Sequence, residues 1–345
     1  MNRARIAGLL VFLIAACAAP SGAPTGSPAG AVSPSPQKPG PLADTWTRDG
    51  TTWHEHIGAG PSPRYLSAIA YDAARHVYVL FGGWSVTGAS DETWTSDGTT
   101  WTLQHPAHRP GARRGAAMAF DVVRKVVVLY GGLVADSAEG HADEDTWTWD
   151  GVDWTPVLLH GKPGFREGAR MASAPDGVIL YGGRTDNTHY FDDAWKFDGS
   201  SWSVLAEDGP SSPPARASSA VAWDAKDQAL FVFGGIAADV TAGPGAQGVP
   251  LRDAWLLTRQ GWASVQNGPT RTTFSGAIWN ASNDRIEVIF GMVCPNPVND
   301  SWSWDRTSGW SDVAASPVPA RWGAALAADT SGNVLVFGGD DESGC

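Results

Sequence analysis

The stretch Asp-Thr-Trp-Thr-Arg-Asp-Gly-Thr-Thr-Trp at residues 44–53 decides the fold, because edited copies of it return along the chain. Each copy places an acidic residue two positions before a tryptophan, and a second tryptophan follows seven or eight residues after the first. In four copies an Asp-Gly pair between the tryptophans supplies the positive φ angles of a tight turn. Each copy therefore predicts two antiparallel strands. The copies carry the sets Asp44/Trp46/Trp53, Glu92/Trp94/Trp101, Asp145/Trp147/Trp154, Asp193/Trp195/Trp202, Asp253/Trp255/Trp262 and Asp300/Trp302/Trp310.

A second pattern fills each interval between these hairpins. It consists of an arginine, a run of small residues, a polar turn and a β-branched or aromatic run that ends in Gly-Gly. In the first interval it starts at Arg64, turns at residues 72–75 and ends at Gly82-Gly83. The pattern predicts two further strands per repeat, and no interval shows the 3.6-residue apolar period of a helix. Because the chain starts with a hairpin and ends with a strand pair, we expect residues 44–53 to complete the repeat that begins at Arg321.

These residues resemble the kelch-repeat family in every copy, with an arginine before the first strand, Gly-Gly closing the second (Gly291-Met292 in the fifth copy), and tryptophans in the third and fourth. The resemblance covers residues 44–339, and the first tryptophans lie 47 to 60 residues apart, close to one kelch repeat. It implies a six-bladed, all-β propeller over residues 42–345. Each blade would be a four-stranded sheet, arranged with the others round a central channel and with the N-terminal strands closing the last blade.

The N-terminal residues read as an export signal. Residues 1–17 contain two early arginines, an apolar run from Ile6 to Ile14 and then Ala-Ala-Cys. This end resembles a bacterial lipobox, which implies that Cys17 becomes lipid-modified and that the protein is extracytoplasmic, anchored to the bacterial cell membrane. Residues 18–41 are almost all Ala, Pro, Ser and Gly and are predicted to be a disordered tether.

Two further cysteines, Cys294 and Cys345, fall in the loops after the second strands of adjacent repeats. In an exported protein these positions predict a disulfide between them, and two free thiols are the alternative.

The formal net charge of −12 argues against sequence-independent binding of nucleic acid, which needs clustered lysines and arginines. Any anionic ligand would need a local basic patch. The arginines that precede the first strands would supply one, because six of them would ring one entrance of the channel. Two interpretations stay open: each arginine pairs with the acidic residue that opens a third strand, or several stay free to bind a carboxylate or sulfate. These arginines are Arg64, Arg113, Arg166, Arg216, Arg271 and Arg321.

Arg170 stands apart from this ring. It occupies a position that is alanine in the other copies that align most clearly, so its charge is expected in crowded space near the channel axis. Such a charge is costly unless a partner or ligand meets it. Tyr65, Trp84 and Trp322 are expected beside the same channel mouth, where aromatic side chains stack on sugar rings.

The sequence therefore favours a non-catalytic binding module, monomeric and without cofactor or metal, that binds a carbohydrate or an acidic protein segment at the channel mouth. Three alternatives stay open. Kelch propellers of the galactose oxidase kind are copper-radical oxidases, which need a Tyr–Cys cross-link, a second Tyr and two His, and this chain has few of these residues. Bacterial periplasmic kelch proteins include epimerases or mutarotases of sialic acid, for which Glu55, Glu92, Glu167 and His189 are available as general bases. A scaffold would use the outer surfaces of the blades.

Overall fold

The computed structural model describes residues 39–135, 141–159, 161–206, 209, 211–239, 248–270, 272–314 and 316–343. The predicted signal sequence with Cys17, most of the predicted tether, Arg271 and Cys345 lie outside these residues. All regular secondary structure in the described ranges is β-strand, which confirms the all-β prediction, and these ranges contain no helix that could cross a membrane. The strands are β1 (Thr45–Asp49), β2 (Thr52–His56), β3 (Ala68–Asp72), β4 (Val77–Phe81), β5 (Trp84–Ser85), β6 (Gly88–Ala89), β7 (Thr93–Ser96), β8 (Trp101–Gln104), β9 (Arg113–Arg114), β10 (Ala117–Asp121), β11 (Val126–Tyr130), β12 (Leu133–Val134), β13 (His141–Ala142), β14 (Thr146–Trp149), β15 (Trp154–Val157), β16 (Arg170–Ala174), β17 (Gly177–Tyr181), β18 (Ala194–Phe197), β19 (Trp202–Ala206), β20 (Ala220–Asp224), β21 (Ala229–Phe233), β22 (Ile236–Ala237), β23 (Val249–Pro250), β24 (Ala254–Thr258), β25 (Gly261–Val265), β26 (Gly276–Asn280), β27 (Arg285–Val293), β28 (Asn296–Asp305), β29 (Gly309–Asp312), β30 (Ala325–Ala328) and β31 (Val334–Phe337).

Six four-stranded antiparallel sheets form the framework, and we call them blades. Their first strands contact one another in a closed ring that runs β3, β10, β16, β20, β26, β30 and back to β3, which is the arrangement of a β-propeller. The shorter strands pair beside the blades, on the loops that follow the second strands and, for β9, just before a first strand. In order from the first strand outward, the blades are β3-β4-β7-β8, β10-β11-β14-β15, β16-β17-β18-β19, β20-β21-β24-β25, β26-β27-β28-β29 and β30-β31-β1-β2.

The alternation of small and large residues in the first strands has a packing role. Ala68 and Ala70 of blade 1 lie in one buried cluster with Met118 and Phe120 of blade 2. Because the first strands converge on the axis, the small row of one blade leaves room for the large row of the next. The same alternation recurs round the ring, so the sequence pattern reports the contact between adjacent blades.

The ring is closed by the two ends of the described chain. Strand β1 pairs antiparallel with β31, with Thr45 opposite Phe337 and Arg48 opposite Val334. The outer edge of β31 is therefore covered, as the order of the repeats predicts. The Thr45 hydroxyl also accepts a 2.9 Å hydrogen bond from the Trp101 indole, which ties the closing blade to blade 1.

One contact at the closing blade is charged where the other blades are mostly apolar. The Arg48 guanidinium donates to the Glu287 carboxylate on the second strand of blade 5, and both residues are only 3% exposed. The other oxygen of Glu287 accepts a 2.7 Å hydrogen bond from the Asn280 side chain. The strand registers place Arg48 at a position that the other blades fill with Ser96, Trp149, Phe197, Leu257 and Trp304.

Candidate functional site

The arginines that precede the first strands are structural. In five blades the arginine is at most 2% exposed and its guanidinium forms an ion pair with a carboxylate of its own blade. Because they are buried and paired, these five groups are not available to a ligand, and the ligand-binding role predicted for them is corrected. The pairs are Arg64–Glu92, Arg113–Asp143, Arg166–Asp193, Arg216–Asp253 and Arg321–Asp44.

Arg216 shows how such an arginine holds a blade together. Its two terminal nitrogens donate to the two oxygens of Asp253 at 2.8 and 2.5 Å, and one of them also donates to the Gly234 carbonyl at 2.9 Å. Its own carbonyl accepts a 2.9 Å bond from the backbone of Gly183 in the preceding blade. A Cβ at Gly182 would lie 2.6 Å from that carbonyl oxygen, which explains why the second strand ends in Gly-Gly.

Two blades depart from this arrangement. Arg113 pairs with Asp143 at 2.9 Å, so the expected partner Asp145 is wrong, and Asp145 is largely exposed. In blade 5 the predicted Arg271 lies outside the described residues. The carbonyl of Thr272 there accepts the bond from the preceding Gly235 that an arginine carbonyl accepts elsewhere. Thr272 therefore takes the position of the arginine.

Burial and ion pairing act in opposite directions on the paired carboxylates. Burial alone would raise the pKa of Asp253, but the hydrogen bonds and charge of Arg216 and a bond from the Trp255 indole outweigh it and lower that pKa. The pKa of Asp44 is lowered in the same way by Arg321 and Trp46. No cation pairs with Asp340 in the part of the chain that the structure describes, and burial raises its pKa.

We expect Asp253→Asn to lower the free energy of unfolding at pH 7 by about 1.5–3 kcal/mol, since it removes a charge-assisted hydrogen bond. A carboxyl whose pKa is depressed in the folded state contributes stability above its unfolded pKa of about 4, and that contribution is lost as pH falls through the folded pKa. The wild-type and variant curves should therefore converge below about pH 4 in urea unfolding measured from pH 7 to pH 2.5.

Asp340→Asn is the matched contrast, because the folded-state pKa of Asp340 is raised. The ionised carboxylate of Asp340 destabilises the folded state, so Asp340→Asn should raise the free energy of unfolding most at neutral pH and least in acid. If the unfolding free energies of wild type and Asp253→Asn differ by the same amount at every pH, the Arg216–Asp253 pair does not cause the loss of stability in acid.

A belt of backbone hydrogen bonds surrounds the channel mouth. The residue two positions after each arginine, or after Thr272 in blade 5, has φ between 54° and 64°, in the left-handed region, and three of these residues are not glycine. Around most of the ring each donates its N–H to the carbonyl of the belt residue in the preceding blade, at 2.7 to 3.0 Å. The belt fixes the backbone at the mouth while leaving the neighbouring side chains free to vary. It consists of Leu66, Gly115, Gly168, Ser218, Phe274 and Gly323.

Six pairs of variable side chains stand next to this belt. The residue directly after each arginine, or after Thr272, forms an antiparallel bridge with the residue that follows the Gly pair of the same blade. In blade 5 Phe290-Gly291 takes the place of this pair, so the predicted Gly291-Met292 is wrong by one position. These backbone contacts repeat from blade to blade and place two side chains per blade at the mouth. The residue types at these two positions differ between blades. The pairs are Tyr65/Trp84, Arg114/Leu133, Glu167/Arg184, Ala217/Ile236, Thr273/Met292 and Trp322/Asp340.

One side of the mouth is aromatic, and we call Tyr65, Trp84, Phe274, Trp322 and Arg114 the aromatic arc. The ring of Trp322 lies 4.9 Å from Tyr65 and 5.0 Å from Phe274. The Arg114 guanidinium lies 4.7 Å from the Trp84 ring. Burial raises the pKa of Tyr65, and the nearby Arg114 acts in the opposite direction. All five side chains are neither fully buried nor fully exposed.

The structure thus brings together the predicted residues Tyr65, Trp84 and Trp322. Sequence reasoning missed Arg114 and Phe274. The available signal was positional, because Arg114 directly follows a repeat arginine and Phe274 directly precedes the small residues of the first strand. Across the mouth, Glu167 is paired with Arg184 at 3.0 Å, and Arg184 also donates to the Tyr190 hydroxyl at 3.3 Å.

Arg170 lies at the mouth end of one of the first strands that surround the channel. It is the first residue of β16 and stands opposite Tyr181, as Ala68 stands opposite Phe81 in blade 1. Its Nε donates to the Ser219 carbonyl of the next blade at 3.3 Å, and no carboxylate pairs with it among the described residues. Burial lowers the pKa of Arg170 to about 10. Its predicted position near the axis is confirmed, whereas its ligand role stays a prediction.

Three further features are candidates: the disulfide, the long loop after Gly235 and a metal site. Cys294 is disulfide-bonded, and because Cys17 and Cys345 lie outside the described residues, its pairing with Cys345 stays a prediction. The long loop of residues 236–252 is described only at its ends, where β22 pairs with β23. Within the described ranges no group of three or more His, Cys, Asp or Glu side chains could hold a metal ion.

Comparison with known proteins gives one match, which is to a family model. No curated protein matches the chain. Residues 119–339 match the family model of the KLHDC2/KLHL20/DRC7 Kelch-repeats domain, which covers more than half of the chain. Together with the blades, the buried arginine pairs and the Gly pairs, this match shows that the chain belongs to the kelch-repeat family.

Proposed function

We propose that this chain is a non-catalytic binding module whose channel mouth binds a carbohydrate that bears a carboxylate. The aromatic arc is the observation that carries the proposal. It combines half-buried aromatic rings with Arg114, which has no carboxylate partner among the described residues. Membership in the kelch-repeat family supports a binding role, because the fold presents variable side chains on a rigid mouth.

The chemistry of the arc suits such a ligand on three counts. Tryptophan and tyrosine rings stack on the C–H faces of sugars and exclude water from them. A guanidinium binds a carboxylate through two parallel hydrogen bonds, and stacking on Trp84 holds the Arg114 group in place. The exposed Glu342, whose backbone carbonyl accepts a 3.1 Å bond from the Trp322 indole, places a carboxylate nearby as an acceptor for sugar hydroxyls.

An acidic protein segment fits this mouth less well. Such a segment carries several negative charges along an extended chain, and the carboxylates Asp340, Asp341 and Glu342 follow one another next to Trp322. Like charges at close range disfavour that partner. A ligand with one carboxylate and several hydroxyl groups meets both the cation and the acceptors.

The enzyme alternatives make different demands. A copper-radical oxidase needs a cysteine free to form a thioether with tyrosine, and Cys294 is already disulfide-bonded. A sialic-acid epimerase would need a general base beside the bound sugar. Of the candidates, Glu92 is paired with the buried Arg64 and Glu167 with Arg184, so both are held as structural partners.

The location of the protein is also part of the proposal. A lipid on Cys17 would anchor the chain to the outer side of the bacterial cell membrane, and residues 18–41 would hold the propeller away from it as a monomer. The wild-type protein should then appear in the membrane fraction, and Cys17→Ser should release it.

The binding proposal is tested with an acidic-glycan array and the full chain carrying Cys17→Ser. We expect selective binding to glycans that contain uronic or sialic acids. Trp322→Ala and Arg114→Ala should each weaken that binding by about tenfold or more, because each removes a separate contact to the sugar. Lys226→Ala is the control, since Lys226 lies exposed on the turn between β20 and β21 at the opposite face.

Equal binding of neutral glycans would contradict the role of Arg114. Binding of acidic peptides but of no glycan would replace the carbohydrate with a protein segment as the ligand. Turnover of a bound sialic acid that is lost with a single Glu or His substitution would favour the epimerase, and silent mouth variants would favour a scaffold.

A further inference from the structure

A cavity of about 300 Å³ lies on the channel axis, on the side away from the mouth. First strands of all six blades line it, together with the turns that follow several of them. Its walls are largely apolar, because the large row of the first strands contributes branched, sulfur-containing and aromatic side chains. Such a volume and lining are typical of sites for small organic ligands. The largest lining residues are Tyr71, Met118, Phe120, Met171, Trp223 and Trp279.

A cation lies next to this cavity in the sequence of β16. Met171 and Ala172 line the cavity, and Arg170 immediately precedes them on the same strand. Four of the other blades have alanine at this position and blade 5 has Gly276, so blade 3 alone puts a long charged side chain here. The Nε bond to Ser219 holds the guanidinium near the axis, because Ser219 lies two residues before Val221 in the cavity wall.

This guanidinium has hydrogen-bonding capacity to spare. Of its donors, only Nε has a partner among the described residues, and that partner is a neutral carbonyl. Burial disfavours its charge, as the lowered pKa shows, yet the group stays protonated at neutral pH. Arg170 is half-buried, so its cation is partly removed from water without a counter-charge, and an anion at this place would gain a charge-assisted hydrogen bond.

We propose that the channel binds a small amphipathic monocarboxylate, with its carboxylate on Arg170 and its apolar body in the cavity. Medium-chain fatty acids and aromatic carboxylic acids share this chemistry. A neutral apolar molecule leaves Arg170 unpaired, and a cationic one meets repulsion, so the charge of the head group decides the selectivity. This site is separate from the carbohydrate site proposed at the mouth, because it uses neither Arg114 nor the aromatic arc.

The test uses the full chain carrying Cys17→Ser and three probes of equal length: octanoate, octanol and octylamine. Tryptophan fluorescence reports occupancy, because Trp223 and Trp279 line the cavity, and calorimetry measures affinity. We expect saturable binding of octanoate, and binding of octanol and octylamine that is weaker by about tenfold or more. The same titration with phenylacetate shows whether the cavity binds an aromatic acid more tightly than an aliphatic one.

Arg170→Ala restores the residue of the other blades and should fold, while Arg170→Gln keeps the length of the side chain without its charge. Both should weaken octanoate binding by about tenfold or more and leave octanol binding within about twofold. Arg109→Ala is the matched arginine control, since Arg109 is exposed and paired with Asp91. Absence of saturable octanoate binding, equal binding of octylamine, or unchanged affinity in a folded Arg170 variant would overturn the proposal. Glycan binding by the Trp322 and Arg114 variants tests only the carbohydrate site at the mouth, so its outcome does not decide whether the channel binds octanoate.

Discussion

Deletion of residues 42–56 from the full chain is expected to make the protein aggregate. The deletion removes β1 and β2, so the whole outer edge of β31 loses its partner. An unpaired, largely hydrophobic edge strand is a template for pairing with another chain. The same change leaves the buried Arg321 without Asp44 and the buried Glu287 without Arg48, so two uncompensated charges accompany the open edge. Size-exclusion chromatography with light scattering measures the outcome.

Two comparisons sharpen this experiment. A chain that lacks residues 24–38 of the predicted tether should keep the size and melting temperature of the wild type, because these residues precede the paired strands. A synthetic peptide of residues 42–56, added in excess to the deletion variant, should restore a single species by pairing with β31. A deletion variant that stays monomeric and melts at the wild-type temperature would show that the ring does not depend on this hairpin.

Glu287→Ala is expected to lower the free energy of unfolding by about 3–5 kcal/mol, because it leaves the buried charge of Arg48 without a partner. Both residues are 3% exposed, and solvent can do little to screen the remaining guanidinium. Urea unfolding at pH 7 measures the change. Asp176→Ala is the control, since it removes an exposed ion pair with Lys196, and such pairs contribute about 0–1 kcal/mol.

A double variant separates the charge from the packing. Arg48→Leu with Glu287→Val installs residue types that other blades use at these positions, as at Leu257 and Val79. Replacing a buried ion pair by apolar residues is often neutral or stabilising, so the double variant should recover most of the loss caused by Glu287→Ala. A loss in the double variant as large as in Glu287→Ala would show that the site cannot repack.

The Arg48–Glu287 ion pair also affects how blade 6 closes the ring. Blade 6 is the one blade built from both ends of the described chain, and its hairpin must find β31 rather than another edge. Arg48 pairs with Glu287, whose other oxygen is held by Asn280, so any other edge would leave the buried guanidinium without its carboxylate and is penalised. We therefore read the Arg48–Glu287 pair as a device for correct closure.

The sequence predicted the framework well because its signals are local and repeated. Paired tryptophans, Asp-Gly turns and Gly-Gly ends recur in register, and each reports a backbone geometry that a few residues determine by themselves. The order of the pieces predicted that β1 would pair with β31, since an unpaired half-blade would leave an open edge. The row of small residues also placed Arg170 near the axis.

Only the tertiary structure decided which polar groups are free. Arg64 and Arg114 are both arginines beside the mouth, yet Arg64 is buried against Glu92 whereas Arg114 lies against Trp84. The distinction depends on where the third strand of the same blade brings its carboxylate, and that position lies 28 residues away in sequence for Arg64 and Glu92. Asp143 instead of Asp145, and Thr272 in the place of an arginine, are decided in the same way. Local sequence determined the strands and turns of this protein because backbone geometry is set by neighbouring residues. The surroundings of each charge, and with them the mouth and the channel, depend on contacts that exist only when the blades pack together.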